Sequence, residues 1–215
     1  VRLLVIDTSG PECAAGIYDA GAACLVSAQS ATIGKGHAEV LPGMIETVAA
    51  EAGLALNMLD RIAVTVGPGS FTGIRVGVAM ARGLALALKI PAVGVSTLQV
   101  VAEPALGHNM AVLALIDARR DELYAQLFSS DGAAISQPAA LSAEAAHDLA
   151  KMHGAVPVGS GAHILAGKAS PQIDLFPLLT IGAIAARLAT DIAARPLYIR
   201  GADAKPQTRF AVAHA

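Results

Sequence analysis

Hydrophobic and polar positions follow a readable order along the first hundred residues. Residues 3–7, 14–19 and 23–29 read as three short strands joined by turns containing Gly10-Pro11 and Gly21. Val40, Leu41, Met44, Ile45 and Val48 then recur at helical spacing and predict a helix over residues 37–52, with Pro42 in its first turns or bending it. A buried-type strand follows at 62–66, a helix at 71–88, a strand at 92–95 and a short helix from Ser96. Three strands, helix, strand, helix, strand, helix is the ribonuclease-H-like layout, a mixed sheet covered by helices.

The second half begins again in the same way. Residues 111–116 and 123–128 alternate as strands, and Asp131-Gly132 turns into a third around 133–136. A helix is expected over 142–152, with Ser142 as N-cap and Glu144 near the positive end of its dipole. A strand is expected at 156–159 and a helix at 181–194, stopped by Pro196. No close sequence repeat is visible, yet the element order partly repeats. The reading is an α/β protein of two related lobes, 1–105 and a smaller, incomplete 106–215, divided where Pro104 and Gly107 interrupt the pattern.

One helix stands apart. In Gly67–Leu88, GPGSFTGIRVGVAMARGLALAL, a glycine-rich turn runs into a helix whose Gly73, Gly77, Ala81 and Ala85 share one face. Ser70 or Thr72 can cap its free N–H groups. Two glycines inside a helix cost about 1 kcal/mol each relative to alanine, so something must approach closely enough to offset that cost. Two readings are open: a phosphate-binding corner, or a packing surface for the helix's own sheet or for a second helix. Arg75, Arg82 and Lys89, seven apart, form another face that is either solvated or paired with acids on a partner.

Composition narrows the classes. With 54% hydrophobic and 15% charged residues the chain is globular, and its mean hydropathy of +0.58 raises a membrane question. No run reaches eighteen apolar residues without a charge; Arg75, Arg82 and Lys89 interrupt the best candidate, so an apolar, partner-binding surface is expected instead. Residues 1–6 run into Asp7-Thr8-Ser9 without the pattern of a secretory leader. Cys13 and Cys24 fall on two arms of one hairpin, with Cys24 expected opposite Ala15 or Gly16. Two free thiols then suit a reducing cytoplasm. A net charge of −2, no tryptophan and 3% aromatics argue against a stand-alone nucleic-acid binder.

Candidate chemistry is sparse. Asp7 ends the first strand of one lobe and Asp117 the first strand of the other, where ATPases of this layout place acidic residues near metal and phosphate. The second corner, Asp117-Ala118-Arg119-Arg120-Asp121-Glu122, crowds charges where backbone approach to a phosphate needs glycines. Gly159-Ser160-Gly161-Ala162 is too short to define an adenosine pocket. The turn before residue 71 is neither a P-loop nor a dinucleotide fingerprint, and no G-x-S-x-G is present. His37-x-Glu39 has no downstream Cys-x-x-Cys and no histidine four residues on, where Leu41 stands; the other histidines are scattered.

Ile6-Asp7-Thr8-Ser9, Gly36-His37 with Leu41-Pro42, the block from Gly67 to Gly77, Ile116-Asp117-Ala118-Arg119-Arg120, and the tail Tyr198-Ile199-Arg200 with Asp203-Ala204-Lys205-Pro206 together resemble the TsaB (YeaZ) family. The resemblance implies a two-lobed actin-like ATPase fold and a part in making threonylcarbamoyladenosine beside the tRNA anticodon. It further implies a non-catalytic subunit. The catalytic paralogue, TsaD, holds metal through a His-x-x-x-His helix motif whose matching positions here are His37 and Leu41. Implied partners are a TsaD-like transferase, a TsaE-like ATPase and a second copy of the chain, with tRNA reached through the complex and no membrane involved. ATP and metal would belong to the partner subunits. The implied interface lies on the first two helices, with candidates Leu41, Met44, Ile45, Phe71, Gly73, Ile74, Gly77, Met80, Ala81 and Arg82. A small ATPase or kinase using Asp7 and Asp117 is the alternative.

Overall fold

The computed structural model describes residues 1–168, 174–190 and 193–199. Its first sheet has the order β3-β2-β1-β4-β5, built from β1 (Arg2–Asp7), β2 (Glu12–Asp19), β3 (Cys24–Thr32), β4 (Arg61–Gly67) and β5 (Ala92–Ser96). β1, β2 and β3 pair antiparallel, whereas β4 and β5 run parallel to β1. The central strands are buried on both faces, which is why β1 and β4 read as near-continuous apolar runs, β4 interrupted by Thr65, rather than as alternations. Helices α1 (His37–Glu51) and α2 (Phe71–Leu88) cover one face through a core that includes Leu4, Ile6, Leu41, Met44, Ile45, Val48, Ile74 and Ala81.

Among the described residues a second sheet repeats the scheme without its fifth strand. Its order is β8-β7-β6-β9, with β6 (Val112–Asp117), β7 (Glu122–Phe128), β8 (Ala139–Ser142) and β9 (Val156–Val158). Here α4 (Ala143–His153) and α5 (Ser160–Leu165) take the places of α1 and α2. The duplicated mixed sheets are those of the actin-like, ribonuclease-H-like class.

The two halves are laced together. α3 (Thr97–Ala102), which follows the first sheet in sequence, packs on β6 of the second. α6 (Leu178–Arg187), which follows the second sheet, packs back on β1, β2, β4 and β5 of the first. Their side chains, among them Leu98, Val100, Leu178, Ile181 and Ile184, form one core with Leu3, Val5, Val112, Ala114 and Ile116. Arg61 of β4 donates through Nη1 to the carbonyls of Ala185 and Leu188, the latter at 2.9 Å, and so caps the C-terminus of α6.

Four expectations need correction. The hairpin turn is longer than the sequence suggests. Asp19 Oδ1 accepts from the N–H groups of Gly21 and Ala22, and the register slips between Ile17 and Tyr18. Cys24 therefore faces Asp19, not Ala15 or Gly16; Cys13 pairs with Ala31, and both thiols are free. The third strand of the second sheet lies at Ala139–Ser142 rather than 133–136. That earlier segment makes only a single antiparallel bridge, Ala134 opposite Phe128, with Ile135 N–H donating to the Leu127 carbonyl at 2.8 Å and Ser136 Oγ accepting from the Leu127 N–H at 2.9 Å. α6 begins at Leu178 and ends at Arg187, because the chain then turns back to the first sheet. Ala194 N–H donates to the Ala92 carbonyl and Leu197 N–H to that of Val66. α5 occupies the short Gly159-Ser160-Gly161 run and its continuation, where no helix is expected. By length and composition α2 is apolar enough to cross a bilayer, and in the fold one of its faces lies on β4.

Candidate functional site

The close approach demanded by the small residues of α2 is to the end of β1. Thr8 Oγ1 donates to the Gly73 carbonyl at 2.7 Å, and Ser70 N–H donates to the Ser9 carbonyl at 2.7 Å. A Cβ on Gly69, Gly73 or Gly77 would lie 2.3, 2.0 or 2.3 Å from Ser9 O, Thr8 O and Thr8 Oγ1 respectively. Ser70 is the N-cap, its hydroxyl accepting from the Gly73 N–H at 3.2 Å. The small-residue line thus seats the helix on its own sheet.

Asp7 lies beneath this contact, 2% exposed. Its Oδ1 accepts from Thr65 Oγ1 at 2.5 Å and from the Ser9 N–H at 3.0 Å, while Ser9 Oγ donates to Thr65 Oγ1 at 2.7 Å. Burial pushes the Asp7 carboxyl up to about 6, against the pull of those donors. Asp117, the matching residue of the second lobe, is half-buried. Its Oδ1 accepts from the Arg119 N–H at 2.8 Å, and its own N–H donates to Ser160 Oγ at 2.8 Å. Ser160 Oγ in turn donates to Asp174 Oδ2 at 2.9 Å, and burial, with the Asp117 charge, raises the Asp174 carboxyl above the usual range.

The two corners meet across a cleft of about 420 Å³ lined by Ser9, Gly10, Gly69, Ser70, Asp117 and Arg119 among others. Asp117 faces it; Asp7 does not, being sealed behind Ser9. The β6–β7 turn carries Arg119, Arg120 and Asp121 all at positive φ, 62°, 56° and 60°. Each such residue is strained by about 1 kcal/mol, and Arg119 lines the cleft where a phosphate-binding corner needs bare backbone. His37, at the first turn of α1, is buried with Nε2 3.3 Å from the Glu12 carbonyl, and Leu41 one turn on is wholly inside the core. Among the described residues no group of three or more His, Cys, Asp or Glu side chains is placed to hold a metal.

The structure divides the expected interface set in two. Leu41, Met44, Ile45, Gly73, Ile74, Gly77 and Ala81 are buried, packed toward their own sheet. Phe71 and Arg82 are exposed and Met80 is half-buried. The outward line of α2 runs Phe71, Arg75, Ala79, Arg82, Leu86, at spacings of four and three, with Phe71 47% and Leu86 82% exposed. Arg82 and Lys89 also border a groove of about 710 Å³ with Arg195, whereas Arg75 is not part of that groove and joins Phe71 and Tyr198. No sequence pattern announces that last grouping, because Tyr198 lies far along the chain. Of the tail block, Arg200, Asp203, Ala204, Lys205 and Pro206 lie outside the described residues, as does His214.

With this geometry in place, comparison with known proteins decides the family. Residues 30–194 match the family model described as "TsaD: tRNA N6-adenosine threonylcarbamoyltransferase". The tRNA threonylcarbamoyladenosine biosynthesis protein TsaB of Escherichia coli K12 is 37% identical over 126 residues, 58% of this chain and 53% of that protein. The chain belongs to the TsaB/YeaZ family. An uncharacterized protein of Mycobacterium tuberculosis H37Rv is 33% identical over 214 residues, covering 95% of this chain and 94% of that one. The solved structure of YeaZ from Pseudomonas aeruginosa superposes with a TM-score of 0.69 at 28% identity, covering 92% of this chain and 99% of that chain. The chain spans about half the length of the first curated TsaB relatives it matches.

Proposed function

We propose that this TsaB/YeaZ chain is a non-catalytic accessory subunit in tRNA threonylcarbamoyladenosine biosynthesis that docks to a TsaD-like transferase. The observation that carries the reading is the pairing of His37 with Leu41. One turn after the imidazole, α1 offers a core leucine, 0% exposed, where the catalytic paralogue would supply a second metal ligand. The strained, charged Arg119–Asp121 corner supports it from the other lobe. Docking uses the outward line of α2 with the neighbouring surface of α1, where Val40 is 37% exposed. Apolar side chains there, interleaved with arginines, have the make-up of a protein interface. The same surface serves self-association when the transferase is absent. ATP, metal and tRNA are then handled by the assembled complex with its TsaE-like ATPase.

Reconstitution tests this. Transferase activity on unmodified tRNA that depends on adding this chain, with a stoichiometric complex on size exclusion, is the expected result; full activity of the transferase alone overturns it. The cleft lined by both lobes favours a second reading, a small ATPase, which calorimetry with ATP and magnesium on the isolated chain decides.

A further inference from the structure

Among the described aromatic residues Tyr18, Phe128 and Phe176 are buried and Tyr124 partly so, yet Phe71 and Tyr198 stand 47% and 48% exposed beside each other. Their ring centroids are 5.5 Å apart, tilted by 42°. The Arg75 guanidinium joins them: its Cζ lies 3.6 Å from the Phe71 ring centroid and 5.5 Å from that of Tyr198. Arg75 Nε donates to the Tyr198 hydroxyl at 2.8 Å. Tyr198 is itself held by the neighbouring Leu197, whose N–H donates to the β4 carbonyl of Val66 at 2.8 Å. The guanidinium is therefore fixed in plane and in rotation. Among the described residues its two terminal nitrogens have no hydrogen-bond partner, and Arg75 is exposed.

We propose that Arg75, braced by Phe71 and Tyr198, is a preformed receptor for an aspartate or glutamate carboxylate of the protein that docks on the outer face of α2. With Nε committed to Tyr198, the end-on fork of the two terminal nitrogens remains, and it matches the two oxygens of a carboxylate. A side chain already immobilised in the free protein loses little entropy on binding. An arginine flanked by half-exposed aromatics has the composition of an interface hot spot, the aromatics excluding water from the ion pair. A nucleic-acid phosphate fits less well. Backbone binding neutralises several phosphates with several cations, and among the described residues Arg75 is the one cation of this cluster. Moreover, its guanidinium covers a Phe71 face that would otherwise stack a base. The proposal rests on the reading that this chain docks to the transferase, and it adds the anchor and the chemistry of the contact.

Isothermal titration of the transferase subunit into the full chain, with circular dichroism to confirm folding, tests it. Arg75→Ala should weaken binding by about tenfold or more. Tyr198→Phe, which removes one hydroxyl, should weaken it by about three- to tenfold. Because Tyr198 acts by positioning Arg75, the double variant should be no weaker than Arg75→Ala alone. Arg75→Lys should not rescue, an ammonium lacking the planar fork. Arg75→Ala binding within twofold of the parent overturns the receptor and leaves the docking reading standing. A parent chain that does not bind the transferase overturns both. Loss of tRNA retention on filters by Arg75→Ala, with transferase affinity unchanged, also overturns it and assigns the fork to phosphate.

Discussion

Thr8 and Gly73 share one small space: the Thr8 hydroxyl donates to the Gly73 carbonyl, and no room remains between them for even a methyl group. Gly73→Ala would place its Cβ 2.0 Å from the Thr8 carbonyl oxygen, forcing backbone apart. The expected cost is about 3 kcal/mol or more, read as a large fall in the denaturant midpoint. Gly83, on the exposed side of the same helix, has nothing within 4 Å of where a methyl group would stand, so Gly83→Ala should stabilise by up to about 1 kcal/mol. Equal effects of the two substitutions would contradict the seating of α2 on β1.

Asp7 makes stability depend on pH in an unusual direction. Its carboxyl sits at about 6 in the fold against 3.8 when unfolded, so the native state binds the extra proton between those values. Its contribution is fully present below pH 4 and is lost as pH rises through 6, a swing of about 3 kcal/mol. Asp7→Asn removes that group. The stability difference, variant minus parent, should grow in the variant's favour between pH 4 and pH 7 in urea titrations; a constant difference would show that Asp7 titrates normally.

Arg61 closes the C-terminus of α6 with two hydrogen bonds from one nitrogen. Arg61→Met keeps much of the aliphatic packing and removes the cap. A loss of about 1–2 kcal/mol is expected, with α6 amides exchanging faster than those of α2 in hydrogen-exchange measurements.

Substitutions on opposite sides of α2 should separate fold from assembly. Ala81→Arg drives a charge into a site with 0% exposure and should abolish folding, whereas Arg82→Glu should leave the melting temperature within a few degrees and weaken the complex. Light scattering with circular dichroism distinguishes them. A folded Ala81→Arg protein would return the small-residue line to the interface.

That line shows where sequence reasoning stops. Ser70 as cap and the run to Leu88 define α2, because capping and helical period are local signals. A row of Gly73, Gly77, Ala81 and Ala85 announces close packing and says nothing of which neighbour comes close; Thr8, more than sixty residues earlier, is visible only in three dimensions. The first-lobe strands and the acidic ends Asp7 and Asp117 are legible from apolar runs and their polar stops. Nothing in the residue order reveals that Asp7 is sealed behind Ser9 while Asp117 faces the cleft. α5 escapes notice because six residues carry too little periodicity. α6 is displaced from its expected span because Ala193 and Ala194 suit a helix as well as the sheet edge beside Val93. The brace on Arg75 joins α2 to a distant segment, and no spacing rule reaches that far.

The exchange of α3 and α6 between the sheets bears on how the chain could be cut. Each half owes one wall of its core to the other, with Arg187 reaching Glu103 at 2.6 Å beside the crossing. A nick in the segment between Leu106 and Ala111 would sever the polypeptide without separating its layers. The two pieces should stay clasped through native size-exclusion chromatography and part only in denaturant. Expressed apart, each should be insoluble; expressed together, they should reassemble as a split protein.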